Sequence, residues 1–225
     1  LDERVNMSLF YPVDTANIGS ERRSLYQVLT KAIKEGKITE VYTDSYFNTK
    51  KTFSDIEASL TKIDTADAGR EQFNAGSAID PQYIIRRDLT AEDVSDYKIK
   101  GYWYFDKRQS EMKYRLLGIC PITPDVYTIE NEEKDYIELF WVFFPDAREV
   151  LSKANSFNDK NSAQPISFDH LLNSRRFSAV IYKEENVYGD RNIEGYIKDN
   201  SQLQLLESER LKDNIRNFES DMWTY

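Results

Sequence analysis

The chain is predicted to adopt an α+β fold: a small, mostly antiparallel sheet packed with several amphipathic helices. Three features of the sequence carry that prediction. Residues 97–122 alternate in polarity around a central polar turn, residues 137–144 are apolar at almost every position, and stripes of period 3.6 lie on both sides of these segments.

In chain order, residues 1–19 read as an extended N-terminal arm. Val5, Leu9, Phe10, Tyr11 and Val13 make it too apolar for a free tail, and Pro12 and Gly19 punctuate it. A helix is expected from Ser20 to Gly36, with Ser20 at the N-cap and Gly36 just past the end. Its apolar stripe is Leu25, Val28, Leu29, Ala32 and Ile33. A second helix is expected from Ser54, where Ser54 and Glu57 form a capping-box pattern and Ile56, Leu60 and Ile63 line one face. Residues 64–81 are polar and aperiodic, the mark of a mobile loop.

The hairpin at 97–122 places Tyr97, Ile99, Gly101, Trp103 and Phe105 on one face of its first strand. The other face carries Lys98, Lys100, Tyr102, Tyr104 and Asp106. Asp106 to Ser110 turns the chain, and Met112, Tyr114, Leu116, Gly118 and Cys120 share a face of the return strand. Loss of alternation over Ile137–Phe144 predicts a strand covered on both faces, ended by Pro145. Three helices follow: one over 146–154, one from Ser167 with Phe168, Leu171 and Leu172 inward, and one from Ser201. In the last, Gln204 completes a capping box and Leu211, Ile215, Phe218 and Met222 form the stripe. Residues 20–225 are read as a single domain.

Composition narrows the function. The chain has 225 residues, 40% of them hydrophobic and 31% charged, so a real core is available and pervasive disorder is excluded. Eight glycines and six prolines are few, which disfavours Gly-rich phosphate cradles. Thirty Lys and Arg against 39 Asp and Glu give a net charge of −9, a field that repels phosphate backbones and argues against nucleic acid. No stretch has the apolar length of a membrane-spanning helix. Fifteen Tyr, twelve Phe and three Trp supply amphipathic contact area suited to docking on other proteins.

Catalytic signatures are weak. His170 is the single histidine, which leaves no His pair for a metal or a relay. With no nucleophile motif beside it, the imidazole reads as a helix-surface residue rather than a general base. Cys120, the only cysteine, excludes an intrachain disulfide and reads as a core thiol. The run Asp190-x-Asn192-x-Glu194-Gly195 has the opening spacing of a calcium loop. Its twelfth position is Ser201, however, where such a loop needs a bidentate Glu, so only incidental ion binding near Asp190–Glu194 stays open. No P-loop, dinucleotide fingerprint or nucleophile elbow occurs. The charge pattern says more. Lys98, Lys100, Lys107, Arg108, Lys113 and Arg115 make the hairpin basic, and Asp125, Glu130, Glu132, Glu133, Asp135 and Glu138 make the following connection acidic. The two blocks either neutralise each other within one molecule or join copies head to tail.

Several longer blocks resemble one family. They are Tyr11-Pro-Val-Asp-Thr-Ala-Asn17, Lys31-Ala-Ile-Lys-Glu-Gly-Lys-Ile38, Phe105-Asp-Lys-Arg108, Tyr114-Arg-Leu-Leu-Gly-Ile-Cys-Pro121, Phe140-Trp to Pro145-Asp-Ala-Arg148, Ile181-Tyr-Lys-Glu-Glu-Asn-Val-Tyr188 and Leu205-Leu-Glu-Ser-Glu-Arg210. Together they resemble the gliding-motility protein family GldN, also called PorN, of the type IX secretion system.

The resemblance implies a non-enzymatic periplasmic subunit with no cofactor, peripheral to the outer membrane. It would form a ring with further copies of itself and with an outer-membrane lipoprotein of the GldK/PorK type, and would contact a motor shaft protein of the GldM/PorM type. A full-length member would bring an export signal and further N-terminal sequence. On this reading the expected contact residues are Phe10 and Tyr11 in the arm, Tyr102, Tyr104, Lys107 and Arg108 in the hairpin, and Trp223 near the end. The alternative is a periplasmic glycan- or small-ligand-binding domain or a weak carboxylate-based hydrolase.

Overall fold

The structure, a computed structural model, describes residues 3–14, 16, 22–66, 73–76, 81–129, 131, 134–158, 164–187, 189–198 and 200–222. The α+β expectation holds: helices accompany a six-stranded sheet and two two-stranded ribbons. Contacts gather into two compact units. The larger comprises Met7–Gly101 and Leu116–Arg175, the smaller Leu1–Asn6, Tyr102–Arg115 and Arg176–Tyr225.

The N-terminal segment departs from the extended reading, since Glu3–Phe10 is helix α1. Within the larger unit the arm lies on its own chain. Leu9 is buried, the Ser156 hydroxyl donates to Ser8 O at 2.6 Å, and the Gln27 amide donates to Val13 O at 2.7 Å. An amphipathic segment with a ready apolar bed gains more by coiling than by staying extended.

Helix α2 spans Leu25–Lys34 and buries Leu25, Tyr26, Val28, Leu29, Ala32 and Ile33, the predicted stripe with Tyr26 added. Its cap is Ser24, whose hydroxyl accepts from Gln27 N, and not Ser20, which lies outside the described residues. Gly36 follows at φ +68, the left-handed position that an L side chain resists. Two short strands come next, β1 (Val41–Tyr42) and β2 (Lys50–Lys51). Helix α3 is Phe53–Leu60. Thr52 and Asp55 form its capping box, two residues before the predicted Ser54. The frame is set by Ile56, which this start directs fully inward. Ile63 is therefore not helical. It belongs to β3 (Thr61–Thr65), which pairs antiparallel with β4 (Ile84–Asp88). The expected loop over 64–81 thus begins as a strand, a short helical turn occupies 73–76, and the remainder lies mainly outside the described residues.

The hairpin is as predicted: β5 (Asp96–Asp106) and β6 (Glu111–Pro124), with residues 102–115 counted in the smaller unit. The apolar run after it is broken in two, β7 (Tyr136–Glu138) and β8 (Trp141–Phe143). Both pair with β6, at Ile122↔Glu138 and Ile119↔Val142. Leu139 and Phe140 bulge between them, fully covered. β8 also pairs with β1 (Tyr42↔Trp141), giving the sheet order β2-β1-β8-β6-β5. Burying side chains of this size stabilises by roughly 1.5–3 kcal/mol each.

Gly118 explains one detail of the packing. A Cβ there would sit 2.5 Å from the Phe47 ring, so the missing side chain makes room for Phe47. That phenylalanine holds φ +60, a strained conformation for a bulky residue. Edge-on contacts with Tyr42 and Phe143 at 5.4 and 5.3 Å fix it in place.

Pro145 opens helix α4 (Phe144–Lys153) at its first turn, where its missing N–H costs nothing. A ribbon of β9 (Asn155–Ser156) and β10 (Ile166–Ser167) leads into α5 (Phe168–Asn173). Ser167 is its cap and Phe168, Leu171 and Leu172 are buried, as the sequence predicts. In the smaller unit α6 (Ile193–Tyr196) precedes α7 (Ser201–Met222). The Asn200 carboxamide caps α7 by accepting from Leu203 N at 3.0 Å, so Ser201 is the first helical residue and not the cap. The predicted stripe of α7 is only partly inward: Leu211 is buried, Ile215 half-buried and Phe218 exposed.

Candidate functional site

The charge pattern singled out the hairpin, and the structure separates its six cations into two kinds. At the base, Lys98 donates to Glu138 Oε1 at 2.7 Å. Lys100 donates to Ser45 O at 2.7 Å, with its ammonium 4.4 Å from the centre of the Tyr46 ring. Toward the turn, Lys113 pairs with Asp106 at 3.0 Å and with Gln109 and Glu111. Arg115 lies over the Tyr104 ring at 5.8 Å. Four of the six therefore have partners within their own unit. Lys107 and Arg108, at the turn, are exposed and make no side-chain bond or ion pair to the described residues.

The turn that presents them is built by Asp106, whose carboxylate accepts from Arg108 N at 3.0 Å and from Gln109 N at 3.4 Å. The Lys113 bond, reinforced by these backbone donors, holds the Asp106 carboxyl below its ordinary range. Behind the turn, Met112 N donates to the Glu219 carboxylate of α7 at 3.2 Å. Tyr102 is 41% exposed and lies 5.9 Å from Tyr104 on one face of the hairpin. Trp103 and Tyr114 meet at 5.2 Å on the other. The hairpin end therefore offers two cations unpaired among the described residues and a row of Tyr102, Tyr104 and Arg115. These are the residue types that dominate protein-protein hot spots.

Of the other expected contact residues, Phe10 and Tyr11 belong to the larger unit. Phe10 packs on Tyr97 at 5.0 Å and serves the fold of the larger unit. The Tyr97 phenol accepts from Tyr26 N at 3.0 Å, and burial raises its pKa. Tyr11 is 57% exposed. Trp223 lies outside the described residues.

The catalytic readings fare differently. His170 is exposed on α5, and its neighbour Asp169 is engaged by the Arg148 guanidinium at 2.9 Å. Cys120 is buried, and loss of hydration pushes its thiol pKa well up, away from the reactive thiolate. Asp190 accepts from Asn186 N at 3.1 Å, and among the described residues no three His, Cys, Asp or Glu side chains are grouped to hold a metal ion. A cleft of about 380 Å³ opens in the larger unit between α2, α3 and the β3–β4 ribbon. Phe53, Tyr26, Lys34, Glu57, Arg86 and Asp88 line it. The Lys34 ammonium lies 5.4 Å from the Phe53 ring centre and Arg86 pairs with Asp88 at 3.0 Å, so its charges are already matched.

The sequence did not single out the exposed leucines of α7, Leu203, Leu205 and Leu206, which are 49%, 50% and 64% exposed. Three leucines within four residues of one helix cannot all face one core, and that is the signal that would have found them.

No helix among the described residues is long and apolar enough to cross a membrane. Comparison with known families gives a match to the gliding motility associated protein GldN over residues 1–224. No curated protein matches the chain.

Proposed function

The chain belongs to the GldN family of gliding-motility associated proteins, and from that membership we propose that it is a non-enzymatic structural subunit of the type IX secretion machinery. It acts in the periplasm, in a ring with further copies of itself and with an outer-membrane lipoprotein of the GldK/PorK type. That ring meets a motor shaft protein of the GldM/PorM type. The observation that carries this reading is the near-complete family match.

The surface best suited to one of these contacts is the hairpin end: Lys107 and Arg108, flanked by Tyr102 and Tyr104. The mechanism is geometric. A folded unit presents the turn, and two cations without partners among the described residues await an acidic partner surface. Tyr11, in the larger unit, and Trp223 are proposed for further contacts of their own, while Phe10 packs within the larger unit.

The test is the double substitution Lys107→Glu, Arg108→Glu. Secretion and capture of the lipoprotein should fall while the melting temperature stays unchanged. Unaltered capture by this variant refutes the role given to the hairpin end.

One feature favours the alternative reading of a periplasmic glycan- or small-ligand-binding domain or carboxylate-based hydrolase, namely the cleft beneath Phe53. Titration with glycans that leaves the melting temperature unmoved removes that reading.

A further inference from the structure

The geometry points to the outer edge of β3 as a two-fold contact between two copies of this chain. The β3–β4 ribbon is a sheet of two strands, so among the described residues no strand pairs with the far side of β3. Such ribbons need further cover for stability, and their open edges are templates for another strand.

The ladder shows which groups face out. Ala66 N–H donates to Tyr83 O at 2.9 Å, and Leu89 N–H donates to Leu60 O at 2.8 Å. In an antiparallel ladder, residues bonded to the partner alternate with residues whose N–H and C=O point away. Leu60, Lys62, Asp64 and Ala66 therefore bond toward β4, while Thr61, Ile63 and Thr65 direct their backbone outward. The Thr65 N–H points out as well, where its own Asp64 carboxylate accepts it at 2.8 Å, a bond that a second copy would have to replace. Ile63, at the middle of the edge, is 67% exposed.

The occupant follows from the sequence of the edge, Thr61-Lys-Ile-Asp-Thr65. Pair it antiparallel with itself about Ile63, and Ile63 meets Ile63 while each Thr61 meets a Thr65. Each Lys62 meets an Asp64 of the other copy, twice over, at the closely spaced non-bonded positions. Opposite charges and apolar residues thus fall directly across from one another, the arrangement that stabilises cross-strand pairs. An isologous contact must be self-complementary in this way. The other edge of the ribbon fails the same test. Ile84-Ile-Arg-Arg-Asp88 paired about its centre sets Arg86 against Arg86. The surface fits a second copy through β3, in a contact small enough to be weak and concentration-dependent. It closes as a dimer, so it is independent of the hairpin end and of the ring proposed above.

Charge-swapped pairs test it by sedimentation velocity on the intact chain. The wild-type protein should show reversible dimers. Lys62→Asp and Asp64→Lys each place like charges across the two-fold, and each should weaken self-association by about tenfold or more. Mixed together, the two variants face Asp with Lys at both positions and should recover a heterodimer. Wild-type protein that stays monomeric, variants that dimerise as well as wild type, or a mixture that recovers nothing each overturn the proposal.

A second readout survives poor behaviour of the charge variants. Ile63→Cys should oxidise to a covalent dimer faster than Val187→Cys, which is more exposed at 93% but has no such partner. The native Cys120 is buried and does not compete. Equal rates at the two positions count against the contact.

Discussion

The larger and smaller units differ in how much apolar side chain they bury. In the larger, Trp141, Phe140, Phe168, Leu25 and Leu29 are essentially inaccessible, and the sheet is covered by their packing. In the smaller, Ile193, Leu211 and Ser208 are the buried residues among those described. Tyr102, Val187, Tyr196, Leu203, Leu205, Leu206 and Phe218 stand in solvent. The larger unit holds most of the core, yet it also leaves Tyr11, Ile63, Phe73, Tyr127 and Tyr136 exposed, so both units keep large apolar side chains at the surface.

Substitutions should expose the contrast. Trp141→Ala removes the largest fully buried ring of the larger unit and should cost about 3–5 kcal/mol in chemical denaturation. In the smaller unit a buried polar position is also sensitive. Ser208 accepts from Ile181 N at 2.8 Å, so Ser208→Ala strands a backbone donor and should cost about 1–3 kcal/mol.

The hairpin turn should respond to acid. Asp106 has a lowered pKa when folded, so its contribution is complete above the ordinary carboxylate range and is lost as pH falls through the lowered value. Amide exchange at Arg108 and Gln109, corrected for its intrinsic pH dependence, should speed up only in that acid window. The least effect is expected at Leu206, which is 64% exposed. Leu206→Gln should change stability by no more than about 0.5 kcal/mol. A large loss there would show that the smaller unit relies on this residue for its own fold.

The division into two units was not read from the sequence, but much of the secondary structure was, though unevenly. Leu25 to Ile33, the hairpin and the Ser167 cap follow from single rules of period and capping, and all three appear as read. The start of α3 was ambiguous because Thr52-x-x-Asp55 and Ser54-x-x-Glu57 satisfy the same capping rule, and only tertiary burial of Ile56 selects the first. The β3–β4 ribbon was missed because Lys62, Asp64, Arg86 and Arg87 give it the polarity of a loop. Phe47 at positive φ has no local signature, as its position depends on a glycine 71 residues away making room for the ring. Composition gave the hairpin cations but not their division, since partnership with Glu138, Ser45 and Tyr104 arises only on folding.

The central claim is that this chain docks rather than catalyses, and light scattering on the chain mixed with the outer-membrane lipoprotein tests it most directly. The account predicts a stoichiometric complex of large mass, strongly reduced when Lys107→Glu and Arg108→Glu are combined. Wild-type protein that remains at its own mass in every mixture would contradict it.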